Sequence, residues 1–210
     1  MMPESPLSHF IQRYLQAWQR SLGTLPACEQ DEPGPALQGR DEEGRALWQP
    51  VAQQPQVRFD NIEAALSLTL HPSVSAHYGQ FFAGPLQFDA EFGQGELLQL
   101  WSPEELPRLQ ENLIGHLMMK RSLKQPATIF IGLLGEGEEM LVLENESGSV
   151  WLEIPGQLPH QRLAESLEGL LSQLSPRVAL PPMTAEEAVP DEAPGLLPRL
   201  KRMWSHLRRG

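Results

Sequence analysis

The chain of 210 residues, 40% apolar and 7% aromatic, suffices for one domain with an appendage and is too apolar to be disordered throughout. No run approaches the roughly 18–20 consecutive apolar residues that a membrane span needs, which excludes an integral membrane protein with spanning helices. The net charge of −11 is unevenly spread: five of the sixteen basic residues lie in the last twelve positions, which hold no acid, so everything before Arg199 carries a net −16. An acidic body repels phosphate backbones and attracts basic partners, so nucleic acid is not an expected ligand.

Chain order is legible from periodicity. Leu7 to Leu22 places Phe10, Ile11, Tyr14, Leu15, Trp18 and Leu22 at helical spacing. Glu29 to Arg45 is charged and rich in Gly and Pro, and is expected to be a loop. Ala46 to Val51 predicts a short strand ended by Pro50. Asp60 to Leu70 predicts a helix capped by Asp60 or Asn61, with Ile62, Ala65, Leu66 and Thr69 on one face, and another begins at His71-Pro72. Leu86 to Phe92 alternates strictly and predicts a half-buried strand, with Leu97 to Trp101 as its hairpin partner after Gly93 and Gly95.

Ser102-Pro103-Glu104-Glu105 has the form of a capping box before a helix whose buried stripe is Leu106, Leu109, Leu113, Ile114 and Leu117. Pro107 should delay the regular helix, and Lys120, Arg121 and Lys124 suit its C-terminal dipole. Strands are expected at Thr128–Leu134, Met140–Glu144 and Ser149–Ile154, then a helix from His160 to Leu174. Helices interrupted by antiparallel hairpins give an α+β domain, with a mixed, largely antiparallel sheet and flanking helices.

The catalytic inventory is thin. His71 and His77 are six apart and share no helix face, no histidine pair has ligand spacing with a cysteine, and the lone Cys28 cannot form an internal disulfide or a thiolate cage. His116 is expected to be a half-buried structural histidine. No nucleophile elbow, P-loop or dinucleotide fingerprint occurs, and Glu136-Gly137-Glu138-Glu139 reads as an acidic hairpin tip. These features predict neither an enzyme nor a cofactor. The N-terminal Met1-Met2-Pro3-Glu4-Ser5-Pro6 lacks the regions of a secretory signal, and with a single cysteine the chain is expected in the cytoplasm.

Acid without matching base is the main functional signal. Asp60, Glu63, Asp89, Glu91, Glu96, Glu104, Glu105 and Glu111 lie in a stretch whose one basic residue is Arg108. Composition fits a solvated face and equally a surface that captures a basic segment. Six prolines from Pro176 to Pro198, with four acids between them, mark 177–197 as a linker. In 198–210 an amphipathic helix would set Leu200, Met203, Trp204 and Leu207 opposite Arg199, Lys201, Arg202, Arg208 and Arg209, the pattern of a helix lying on an anionic lipid surface. A frayed end, or a tail folded back onto the acidic body, fits the same residues.

Trp101-Ser102-Pro103-Glu104-Glu105-Leu106 and Gln110-Glu111-Asn112-Leu113-Ile114-Gly115-His116-Leu117 resemble the signature helix of the Syd family of bacterial SecY-interacting proteins. Arg13-Tyr14 with Ala17-Trp18, Trp48-Gln49-Pro50, Phe82-Ala83-Gly84, and Leu123-Lys124 with Pro126 and Thr128-Ile129-Phe130-Ile131 follow in the family's order, so the likeness covers roughly residues 10–176. The resemblance implies a SUFU/Smi1/Syd-like domain over 1–176, peripheral on the cytoplasmic side of the cell inner membrane. It also implies binding to the cytoplasmic loops of SecY through a concave acidic surface, quality control of the SecYEG complex, and a monomer. An immunity protein of the same superfamily that neutralises a basic toxin is the alternative. Two departures stand out: Ala27–Arg45 lacks the family's usual Pro-Ser-Pro-Cys-type segment, which leaves Cys28 without a role, and the chain runs past where shorter members end.

Overall fold

Helix α1, Pro6–Leu22, opens with a reciprocal cap: the Ser8 amide donates to Ser5 Oγ at 3.1 Å and the Ser5 amide to Ser8 Oγ at 2.9 Å. Gly23, at φ 67°, closes it in the left-handed conformation. Its apolar stripe of Leu7, Phe10, Ile11, Tyr14 and Trp18 is fully buried. The structure, a computed structural model, describes residues 4–135 and 137–181.

After α1 come β1 (Ala27–Cys28), β2 (Leu37–Arg40) and β3 (Ala46–Trp48), which form a small antiparallel sheet in the order β1-β3-β2. The expected loop over Glu29–Arg45 therefore contains a strand. Asp41 makes the hairpin possible, because its carboxylate accepts from the Glu43 and Arg45 amides and from Arg45 Nε at 2.7 Å. The Pro/Gly-rich piece before β2 wraps Trp101: the indole N–H donates to Glu32 O at 3.0 Å, and a Cβ at Gly34 would lie 2.4 Å from that ring nitrogen.

Strands β4 (Val51–Ala52) and β5 (Phe81–Phe82) pair with each other around helices α2 (Asp60–Leu66) and α3 (Pro72–Tyr78). Helix α2 is shorter than its sequence suggests. Phe59 stands at its N-cap without a side-chain bond, Ser67 ends it at φ 50°, and only Ile62 and Leu66 are buried, while Ala65 and Thr69 face solvent. At α3, His71 is the cap, its Nδ1 accepting from the Ser73 amide at 3.2 Å.

The main sheet is antiparallel throughout. Its strands are β6 (Leu86–Ala90), β7 (Gly93–Leu97), β8 (Thr128–Leu134), β9 (Met140–Glu144), β10 (Val150–Glu153), β11 (Gln161–Ala164) and β12 (Ser175–Pro176), in the order β11-β10-β9-β8-β7-β6-β12. The partner of β6 is Gly93–Leu97 and not Leu97–Trp101, so the turn is the two residues Glu91-Phe92. Glycine signals close packing here: a Cβ at Gly95 would meet Leu133 O at 2.3 Å and the Phe88 ring at 2.7 Å. Likewise Gln161–Ala164 is a strand, where a helix from His160 was expected. Helix α5 (Leu167–Gln173) starts only after Ser166, whose Oγ accepts from the Gly169 amide at 3.1 Å.

Ahead of helix α4 (Leu106–Ser122) lies a 3₁₀ turn, Pro103–Glu105. Ser102 makes no capping bond, and Pro107, which has no N–H, postpones the regular ladder as anticipated. A bulge in β8 between Phe130 and Gly132 is used by α3, whose Tyr78 hydroxyl donates to Phe130 O at 2.8 Å and whose His77 Nε2 donates to Ile131 O at 3.1 Å.

Trp48, fully buried, stacks on Tyr14 with ring centroids 6.0 Å apart, and its other side is closed by Gly84, where a Cβ would lie 2.5 Å from the indole nitrogen. Gly84→Ala should therefore destabilise the domain by about 1–3 kcal/mol through overpacking. Gly137→Ala, whose methyl meets nothing within 4 Å, should leave the urea midpoint unchanged.

Candidate functional site

The eight acids singled out above fall into three groups. Register places Asp89 of β6 and Glu96 of β7 on one side of the sheet, since Gln87 pairs with Glu96 and Asp89 with Gln94, and Glu91 stands exposed at the turn between them. That side continues through Leu133 and Met140 to Glu153, and it is the side that α4 covers. Glu104 and Glu111 lie exposed along the 3₁₀ turn and the first half of α4, and hydrogen bonding to Ser102 holds the Glu104 carboxyl below its ordinary pKa. Asp60 begins α2, which runs beside α4: Gln110 Nε2 donates to Arg58 O at 3.2 Å, and Arg121 donates to Leu66 O.

Several of these acids have internal partners, Glu104 on Ser102 among them. Glu63 Oε1 accepts from the Leu70 amide at 2.8 Å, so it ties the end of α2 to the chain beyond. Glu105 accepts from the Trp101 amide at 2.9 Å and from Gln30 Nε2 at 3.2 Å, which joins the entry of α4 to the strap before β2. Burial raises the Glu105 pKa, against the lowering effect of these bonds. Asp60 is exposed and ion-paired with Arg58 at 2.9 Å. Asp60, Glu91, Glu104 and Glu111 are exposed, and Asp89 and Glu96 on the hairpin are half-buried.

What fixes α4 against this sheet is a buried polar cluster. Lys120 Nζ donates to Glu153 Oε2 at 2.9 Å and to Gln157 O at 3.0 Å, and Thr128 Oγ1 donates to the same carboxylate oxygen at 2.9 Å. With its hydrogen committed there, the Thr128 oxygen accepts from His116 Nε2 at 2.9 Å, which assigns His116 the Nε2–H tautomer. Lys120, Glu153, His116 and Thr128 are all fully buried. Burial, with Lys120 adjacent, pushes the His116 pKa down to about 3, so the imidazole is neutral at physiological pH. Burial raises the Glu153 pKa, and the bonds from Lys120 oppose the rise.

Lys120 was expected to close the helix at the surface, and His116 to be half-buried. The signal for Lys120 was its position, three residues beyond Leu117 on the Leu109–Leu113–Leu117 stripe, which carries it into the core. Cys28 is buried and burial pushes its thiol up to about 12, so it is not a nucleophile in the folded chain. Among the described residues no group of three or more His, Cys, Asp or Glu side chains is placed to hold a metal ion, and no helix is long and apolar enough to cross a membrane. The tail residues Arg199, Leu200, Lys201, Arg202, Met203, Trp204, Leu207, Arg208 and Arg209 lie outside the described residues, as does most of the linker.

A family model described as Syd protein (SUKH-2) matches residues 4–176. Three curated relatives, all called Protein Syd, come from Shewanella species. The Shewanella loihica protein is 51% identical over 96% of both chains. That of Shewanella baltica strain OS155 is 48% identical over 96% of this chain and 95% of its own. The Shewanella frigidimarina protein is 45% identical over 100% of this chain and 99% of its own, so this match runs on through the residues beyond 176.

Removing one member of the buried pair should cost far more than removing both. Lys120→Met strands a carboxylate and should destabilise by about 3–5 kcal/mol, whereas Lys120→Met with Glu153→Leu should recover most of that loss in urea denaturation. The buried imidazoles also set a pH dependence. His77 is pushed down to about 4 and His116 to about 3, both mainly by burial. The unfolded chain takes up protons below about 6.5 that the native state refuses, so stability falls as pH drops through that window, by up to about 1.4 kcal/mol per unit for each histidine. The raised carboxyls Glu105 and Glu153 act in the opposite sense at lower pH. Urea midpoints should fall between pH 7 and pH 5, and His116→Gln, which keeps a donor but cannot take the proton, should make that fall shallower.

Proposed function

The chain belongs to the Syd family, and on that premise we propose that it is a non-enzymatic docking protein at the cytoplasmic face of the inner membrane. It takes the cytoplasmic loops of the SecY translocon against its acidic surface, acts in quality control of the SecYEG complex, and needs neither cofactor nor nucleic acid. The observation that supports this reading is that Asp89, Glu91, Glu96, Glu104 and Glu111, on the β6–β7 hairpin and the entry to α4, are all at least partly exposed, with Arg108 the one cation in the stretch. Cytoplasmic loops of membrane proteins are enriched in Lys and Arg, so an acidic surface is complementary to them and steers their approach.

The inward-turned Glu63 and Glu105 are assigned to the scaffold and the exposed acids to recognition. The basic tail sequence, Arg199 to Arg209, is assigned to anionic lipid beside the translocon. An acidic surface would equally suit an immunity protein against a basic toxin; the likeness of Gln110–Leu117 to the family's signature helix favours the translocon reading.

Binding to SecY in lipid nanodiscs should weaken steeply between about 50 and about 300 mM salt, as charge complementarity requires. Glu104→Lys with Glu111→Lys should weaken it at least tenfold without altering the urea midpoint, because neither side chain is buried. Glu105→Lys should instead unfold the entry to α4. Wild-type affinity in the double variant would overturn the assignment of the surface.

A further inference from the structure

Charge is segregated along α4. Its entry carries Glu104, Glu105 and Glu111, whereas residues 112–135 contain no acid and three cations, Lys120, Arg121 and Lys124. Lys120 is consumed internally by Glu153 and Gln157, and Arg121 is exposed but bonded to Leu66 O. The Lys124 amide donates to Arg121 O at 3.0 Å, but its side chain makes no hydrogen bond or ion pair with any described residue. Two large apolar side chains stand in solvent at this same end, Leu123 at 48% and Leu158 at 57% exposure. They belong to segments tied together, because Gln125 Nε2 donates to Gly156 O at 3.1 Å and Lys120 Nζ reaches Gln157 O. Beyond Leu158, Glu139 is paired with His160 at 3.1 Å.

The backbone at Lys124 makes its side chain conspicuous. It sits at φ 56°, the left-handed position just past the helix, where the Gln125 amide bonds back to Lys120 O at 2.9 Å. Glycine occupies that position at no steric cost, and lysine does not. A lysine there, its side chain free of internal partners and flanked by exposed leucine, is explained by what its ammonium meets outside the molecule.

We propose that this corner is a lipid contact of the folded body: Leu123 and Leu158 enter the headgroup layer of an anionic bilayer, and Lys124 and Arg121 meet its phosphates. Exposed apolar side chains beside basic residues fit an anionic interface, into which short apolar groups insert while basic groups stay at the phosphates. This contact presupposes the membrane-facing role proposed above, and it is separate from both the acidic surface and the tail.

Flotation of the full-length chain on phosphatidylcholine vesicles with and without phosphatidylglycerol tests it. The parent is a variant whose tail is disabled by Leu200→Ser and Trp204→Ser. That parent should still float with the anionic vesicles. Adding Lys124→Gly, or Leu123→Ser with Leu158→Ser, should reduce its binding about fivefold or more, and Lys124→Gly should melt no lower than its parent, which separates lost contact from lost fold. Equal flotation of parent and added variants would overturn the proposal, as would a parent that does not float at all or floats equally on neutral vesicles. Titration of the same variants with basic SecY loop peptides keeps the two readings apart. Unchanged peptide binding beside lost flotation is the expected result, and absent peptide binding in every variant would count against the docking reading alone.

Discussion

A lysine ammonium brought into the core must be met by charge or the helix that carries it will not dock, and the placement of α4 follows from how Lys120 is met. Glu153, two strands from Thr128 in the main sheet, supplies the counter-charge, and Thr128 and Gln157 O complete the bonding. Desolvating both ions is costly, and an apolar pair of equal volume would serve stability as well or better. What the ion pair adds is direction. A leucine stripe tolerates sliding by a turn, whereas a carboxylate that must face one ammonium, one hydroxyl and, through that hydroxyl, one imidazole holds α4 in a single register on the sheet. The exposed acids at the entry of the helix and the free lysine past its end are therefore held at set positions relative to the β6–β7 hairpin.

Acid in this chain has two uses, and burial separates them. Glu63 and Glu105 each accept a backbone N–H close to the end of a helix or turn, where an amide would otherwise lack a partner. Glu153 balances a buried cation. These three are part of the fold, and the excess that remains outside is smaller than composition suggests. Glu104, Glu111, Asp89 and Glu91 do not serve the core, and repulsion among them slightly disfavours the folded state. A protein that keeps such a grouping with Arg108 as its one interspersed cation retains a field, and a field acts on whatever approaches.

Periodicity made most of the architecture legible. α1, α4, the strands β8, β9 and β10 and the start of α3 lie within a residue or two of where the spacing of apolar residues puts them. The misreadings share a cause. Gly and Pro were taken as breakers at 29–45 and at Gly93 and Gly95, whereas the structure uses them for close approach: Gly34 against Trp101, Gly95 against Leu133 O and Phe88. A short strand such as Gln161–Ala164 has too few residues to declare a period, and its leucine was absorbed into the helical stripe that follows. The acid excess was visible, but which acids turn inward was not, because a carboxylate partnered by a backbone amide leaves no trace in composition. Lys120 was the exception that could have been found, as a charged residue on an apolar stripe.

Docking at a bilayer sets an electrostatic problem that the distribution of charge along α4 and the tail addresses. A body of net −16 is repelled by the anionic headgroups that surround any translocon loop it is to bind. The repulsion is long-ranged at low ionic strength and confined to about 10 Å or less at physiological salt, so what decides orientation is the charge nearest the membrane and not the total. With acid at the entry of α4 and Lys124, Arg121 and the basic tail elsewhere, the chain can meet lipid with cations while its acidic side faces a basic loop. Each contact is weak by itself. In the proposed docking, two contacts linked in one molecule reinforce each other, since the second forms at the high effective concentration set by the first.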